Sequence, residues 1–160
     1  MAPRARTSYR FRVTFNAPLS FVFRWCTDYR AVDPSLEGEK YQRRVLERTR
    51  RKVVYEDLEE LPGGWSWARH VVTLDPPDHW RSASVGNRRD FLLDYWLRRL
   101  SGGRTEMRFL GRRRATPLGG TNPSQRAFAA SMASTWRRFG RELEREYRRS
   151  RAGRSRSPPA

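Results

Sequence analysis

The chain is poor in most of the residues that carry recognisable chemistry. Of its 160 residues one is cysteine, Cys26, so no internal disulfide can form, and a reducing cytoplasm fits. Two histidines and one cysteine cannot supply a zinc set at the usual spacings, so no metal is expected. Carboxylates do not cluster outside EDLEE, residues 56–60, which reads as a solvated or salt-bridged strand face. There is no G-x-G-x-x-G, Walker A or G-x-S-x-G motif, and no cofactor is called for. No apolar run approaches the ~20 residues of a membrane helix, and the start, MAPRARTS, lacks the apolar middle of a signal peptide. Lysine is nearly missing too: Lys40 and Lys52 stand against 32 arginines.

Arginine is what the chain has in excess. Lys+Arg number 34 against 17 Asp+Glu, a formal +17. Arg4, Arg6, Arg148, Arg149, Arg151, Arg154 and Arg156 lie near the ends, which leaves +10 on the body. Such a field attracts polyanions: nucleic acid or an anionic surface. Aromatics interleave with arginine in YRFRVTF and HWRSAS, a pattern that can stack bases and neutralise phosphates. In the first of these, however, the two residue types fall on opposite faces of a strand, as amphipathic burial alone requires. A nucleic-acid- or anionic-surface-binding protein that uses the arginine-rich surface is therefore the alternative function, and not the leading one.

The body reads as alternating strands with one break. Tyr9, Phe11, Val13 and Phe15 alternate with Arg10, Arg12 and Thr14, the period of a half-buried strand. At NAPLSFVFRWCTDYR the period changes. Asn16 can cap and Pro18 suits a first helical turn, after which Leu19, Val22, Phe23 and Cys26 share one face. Cys26 reads as a core thiol, since no base accompanies it. TDYRAVDPSLEG forms a second short helical or turn segment, with Asp28 and Asp33 as capping candidates and Gly38 as its stop.

Six strand candidates follow, YQRRVLERT, KVVYEDLEE, WSWARHVVTL, HWRSASV, DFLLDYWLRRL and TEMRFLGRR, joined by short turns, so the natural arrangement is an antiparallel meander. The chain then enters one long helix, with Asn122 and Pro123 at its start. Phe128, Met132, Trp136, Phe139, Leu143 and Tyr147 recur at steps of 3 or 4 and make one apolar stripe. Residues 1–8 read as a flexible arm, 9–151 as a single domain and 152–160, basic and proline-ended, as a disordered tail.

This order resembles the helix-grip fold of the START / Bet v 1-like superfamily, including its polyketide cyclase/dehydrase-type branch. The likeness rests on strand 1 followed by NAPLSFVFRWCTD and on the LDPPDHW turn, and covers nearly the whole chain. It implies an α+β fold: a curved antiparallel sheet of about seven strands around the long C-terminal helix, with two short helices closing one end. It also implies an apolar cavity between sheet and helix, holding a lipid, polyketide or isoprenoid-like ligand. Some proteins of this kind cyclise or dehydrate polyketides, but no motif here selects that activity and no catalytic residue is assigned.

The ligand-binding candidates are His70, Tyr95, Met107, Phe128, Met132 and Trp136: adaptable apolar walls with His70 and Tyr95 as polar tips. The strand containing His70 can present either Ser66, Ala68, His70, Val72 and Leu74 inward, or Trp65, Trp67, Arg69, Val71 and Thr73. The first set leaves room for a ligand and is taken as inward. His79, in a turn, is expected to be solvated. The sequence is silent on oligomeric state.

Overall fold

A computed structural model describes residues 7–37, 40–116, 118 and 123–154. The alternating runs become seven strands: β1 (Thr7–Phe15), β2 (Gln42–Arg48), β3 (Lys52–Leu61), β4 (Gly64–Asp75), β5 (His79–Gly86), β6 (Arg89–Leu100) and β7 (Arg104–Ala115). Two short helices, α1 (Leu19–Cys26) and α2 (Asp33–Glu37), separate β1 from β2, and α3 (Gln125–Arg154) closes the chain. All strand pairs are antiparallel, in the order β1-β7-β6-β5-β4-β3-β2. Strands β2 to β7 are thus a meander, and β1 returns to pair with the last of them. The sheet wraps α3, and the architecture is the α+β helix-grip fold.

The helix packs hardest on β1. Phe15 and Met107 are both fully buried, and a Cβ built on Gly140 of α3 would sit 3.5 Å from the Phe15 ring. Tyr9 stacks on Phe128 at 3.8 Å and donates its hydroxyl to the Pro123 carbonyl, which fastens the start of α3 to β1. The plug is held from both sides. Thr105 Oγ1 donates to the Ala17 carbonyl at 2.8 Å, and Phe23 of α1 meets Trp80 edge-on.

One of the expected caps differs. Asn16 does not cap α1: the residue before the helix is Pro18, in an extended conformation, and no side chain caps there. The Asn16 backbone N–H instead donates to Glu144 Oε1 at 2.8 Å, so this residue ties the plug to α3. At the start of α3, Ser124 Oγ accepts the Ala127 N–H, satisfying one of the orphan donors of the first turn. Asn122, Gly38 and the terminal segments 1–6 and 155–160 lie outside the described residues. Within them, β1 starts at Thr7 and α3 runs to Arg154, a little beyond the domain limits drawn from the sequence.

Among the described residues no helix is long and apolar enough to cross a membrane.

Candidate functional site

A curved sheet on one straight helix cannot stay in contact along its whole width. Here the two separate over β3 to β6, and the gap is a cavity of about 530 Å³. That is within the range of roughly 300–1,000 Å³ usual for small-molecule sites. The α3 stripe provides one wall through Phe128, Met132, Trp136 and Phe139. Opposite it the inward faces of the strands contribute Tyr55, His70, Trp80, Phe91, Leu93 and Tyr95. Trp25 and Cys26 of α1 close one end.

Ring stacking keeps these walls in place. Trp80 and Tyr95 lie nearly parallel at 4.7 Å, and Trp136 meets Tyr95 at 5.9 Å. Tyr55 stacks with His70 at 4.4 Å and with Tyr29 at 5.0 Å. Burial pushes the phenols of Tyr29 and Tyr55 well above their ordinary range, so both are neutral hydroxyls at physiological pH. It pushes the Cys26 thiol up as well, with Asp33 adding to the effect, which leaves a thiol and no nucleophilic thiolate.

Five of the six sequence candidates stand on this wall: His70, Tyr95, Phe128, Met132 and Trp136. Met107 does not. It faces inward from β7, but between Val13 and Leu97, under the closed end of the grip where helix and sheet touch. The alternation that aimed it inward says nothing about position along the strand, and only farther up β7, at Arg113, does the gap open. The inward face of β4 is Ser66, Ala68, His70 and Val72, while Trp65 and Trp67 turn outward and are 54% and 37% exposed. His79 is half-buried rather than solvated. It stacks on Trp96 and places Nε2 3.3 Å from Asp94 Oδ1, because β5 begins at His79 and pairs it directly with β6.

A polar cluster at the β2–β3 side of the cavity has no counterpart among the sequence candidates. Arg43 and Asp57 pair across the strands in a fork of two bonds, Nε to Oδ1 at 2.8 Å and Nη2 to Oδ2 at 2.9 Å. Arg43 Nη1 also donates to Asp33 Oδ2 at 3.0 Å, so Asp33 serves as an ion-pair partner from the start of α2. The guanidinium lies 4.3 Å above the Tyr55 ring. Burial works against its charge, yet the Asp57 bonds hold its pKa above the ordinary guanidinium value. Behind the pair, Asp57 Oδ2 is 3.5 Å from His70 Nε2. Asp57 and Glu59, part of the EDLEE cluster, therefore line the cavity and are not a solvated face, while Glu56 meets Arg69 outside. The available signal was alternation: Asp57 and Glu59 continue the face that carries Val53 and Tyr55.

The second unassigned group lies on β5. Trp80, Ser82 and Ser84 all face inward, at 1%, 3% and 5% exposure, and all line the cavity. His70 pairs with Ser84 across β4–β5, and Arg113 of β7 lies beyond Phe91, its guanidinium 5.8 Å from that ring. Among the described residues no group of three or more His, Cys, Asp or Glu is arranged to hold a metal.

No protein-family model matches the chain, and no curated protein matches it. Solved structures do. The ZhuI aromatase/cyclase from Streptomyces sp. R1128 superposes with a TM-score of 0.64 at 13% identity, over 91% of this chain and 95% of that one. Ara h 8.0201 gives 0.65 at 12% identity, over 87% and 98%. The major latex-like protein 151 of Panax ginseng gives 0.63 at 8%, over 86% and 97%. At such identities the likeness is one of fold, and it covers the strands, the plug and the long helix together.

Proposed function

We propose that the protein binds one small hydrophobic or aromatic molecule, of the lipid, polyketide or isoprenoid-like kind, between its sheet and α3. The observation that carries this reading is the cavity itself: about 530 Å³, walled by many aromatic side chains and Met132 with polar groups set among them. A chain of this size has no stability reason to leave such a void, since unfilled apolar space costs contacts on every side. The helix-grip neighbours, among them an aromatase/cyclase, support the reading. His70, with Asp57 behind it, is the wall group suited to moving a proton at a bound carbonyl, and any cyclisation or dehydration here would run through it. A reducing cytoplasm is the compartment we assign, on the lone cysteine.

An environment-sensitive apolar dye should bind the monomer at one site, with fluorescence enhancement displaced by lipids or aromatic polyketides. Phe128→Arg or Met132→Arg, each half-buried on the helix side of the cavity, should remove that binding by at least tenfold while far-UV circular dichroism stays native. A wild type that takes up no dye would refute the reading.

Polyanion contact is secondary. Many outward arginines are already matched by carboxylates, as in Arg81–Asp94, Arg69–Glu56 and Arg114–Asp90. Others on the solvent side of α3, such as Arg137, Arg138 and Arg141, are exposed. DNA binding measured by filter retention should be sequence-blind and fall away as salt approaches physiological strength. Tight binding that persists there would promote nucleic acid to the main function.

A further inference from the structure

The cavity wall carries hydrogen-bond donors in excess. Trp80 Nε1, Ser82 Oγ, Trp25 Nε1 and Arg88 Nε are shut off from solvent, have no hydrogen-bond partner among the described residues, and belong to residues on the wall. Trp80 lies near enough to Tyr29 to act on its phenol, yet the indole N–H makes no hydrogen bond. Three of these four groups can only donate, and the Ser82 hydroxyl can do either. Ser84 belongs with them. Its Oγ already accepts the Phe91 backbone N–H at 3.1 Å, which leaves its proton to give. A buried polar group without a partner is costly, and native proteins keep few of them. Trp80, Ser82 and Ser84 moreover form a regular ladder, at every second position of one strand, about 7 Å apart. Facing them across the gap, α3 presents Met132 and Trp136 beside Ser131 and Thr135, and none of these carries a buried donor without a partner.

We propose that the cavity selects ligands with oxygen acceptors, carbonyl or hydroxyl, along the edge that lies on β5 and with an apolar edge toward Met132 and Trp136 of α3. This deepens the binding function proposed above and rests on it. A plain hydrocarbon or fatty-acyl chain offers the Ser82 hydroxyl no acceptor. A ligand oxygen at Ser82 turns that deficit into a gain, so the site discriminates by oxygenation more sharply than by size.

The test uses two rigid probes of similar shape, anthracene and 1,8-dihydroxyanthraquinone, titrated by fluorescence against the wild type, Ser82→Ala and Ser82→Thr. The quinone should bind the wild type at least tenfold more tightly than the hydrocarbon. Ser82→Ala should cost the quinone about tenfold and leave anthracene affinity level or improved. Ser82→Thr, which keeps the hydroxyl, should retain the preference. The melting temperature of ligand-free Ser82→Ala should hold or rise, since an unpartnered buried hydroxyl is removed. A fall would mean that the hydroxyl is structural and would overturn the proposal. If both probes bind and Ser82→Ala treats them alike, the oxygen selection is wrong while the cavity still binds. If neither binds, the binding function falls, and this inference with it.

Discussion

Trp136→Ala destabilises the protein by about 3–5 kcal/mol, read as a lower urea midpoint at unchanged slope. Trp136 is only 7% exposed and is the ring around which the closed side of the grip is organised. It meets Phe15 of β1 edge-on at 6.2 Å, Phe139 of α3 at 5.4 Å and Tyr95 of β6 at 5.9 Å. Truncation therefore removes one large transfer contribution and also takes a packing partner from three other rings. Part of the indole already borders the ligand cavity. The new space is continuous with an existing one, and this places the loss toward the lower end of the range. A midpoint that does not move would show that α3 is not packed against the sheet through this residue. The same substitution enlarges the cavity, so a bulkier dye should bind better to the variant than to the wild type wherever enough folded protein remains.

Asp57→Ala costs about 3 kcal/mol, because it leaves the Arg43 guanidinium buried with part of its charge uncompensated. The Arg43 side chain is 6% exposed and that of Asp57 17%, so water screens the pair poorly. Two of the guanidinium's bonds vanish, and only the Asp33 contact at 3.0 Å and the Tyr41 hydroxyl at 3.1 Å remain. That residual pairing holds the cost near the bottom of the ~3–5 kcal/mol found when a buried pair is broken. The double variant Arg43→Met, Asp57→Ala should be more stable than Asp57→Ala alone, since removing both charges also removes the desolvation penalty. Denaturation of the two single variants and the double closes the cycle. Additive losses would mean that Arg43 and Asp57 do not depend on one another.

The register of charges explains why this pair escaped a reading of the chain in one dimension. Arg43 and Asp57 are 14 residues apart, on two strands whose pairing slips at a bulge between Val45 and Glu47. Counting alternation back from the hairpin turn gives the wrong face for β2 once one residue is extra. The serines were hidden differently. In HWRSASV, Ser82 and Ser84 have the size and polarity of surface residues, and nothing in the strand itself says that its small face is the covered one. Met107 was the opposite error: correctly aimed inward, but at the height where sheet and helix meet.

What the amino-acid sequence determines by itself is everything with a short repeat. The seven alternating runs, the turns at Pro62-Gly63-Gly64 and Ser101-Gly102-Gly103, the break at Ala17-Pro18 and the stripe from Phe128 to Tyr147 are local patterns, and each became the element it implied. Backbone sterics and the burial of one face act over a few residues, so a few residues are enough to reveal them. The tertiary structure alone decided which face of β4 turned in, which charges met across β2 and β3, and where the sheet left α3 to open a cavity. Those depend on curvature and on registers summed over six strand pairs, in which a shift of one residue exchanges inside for outside.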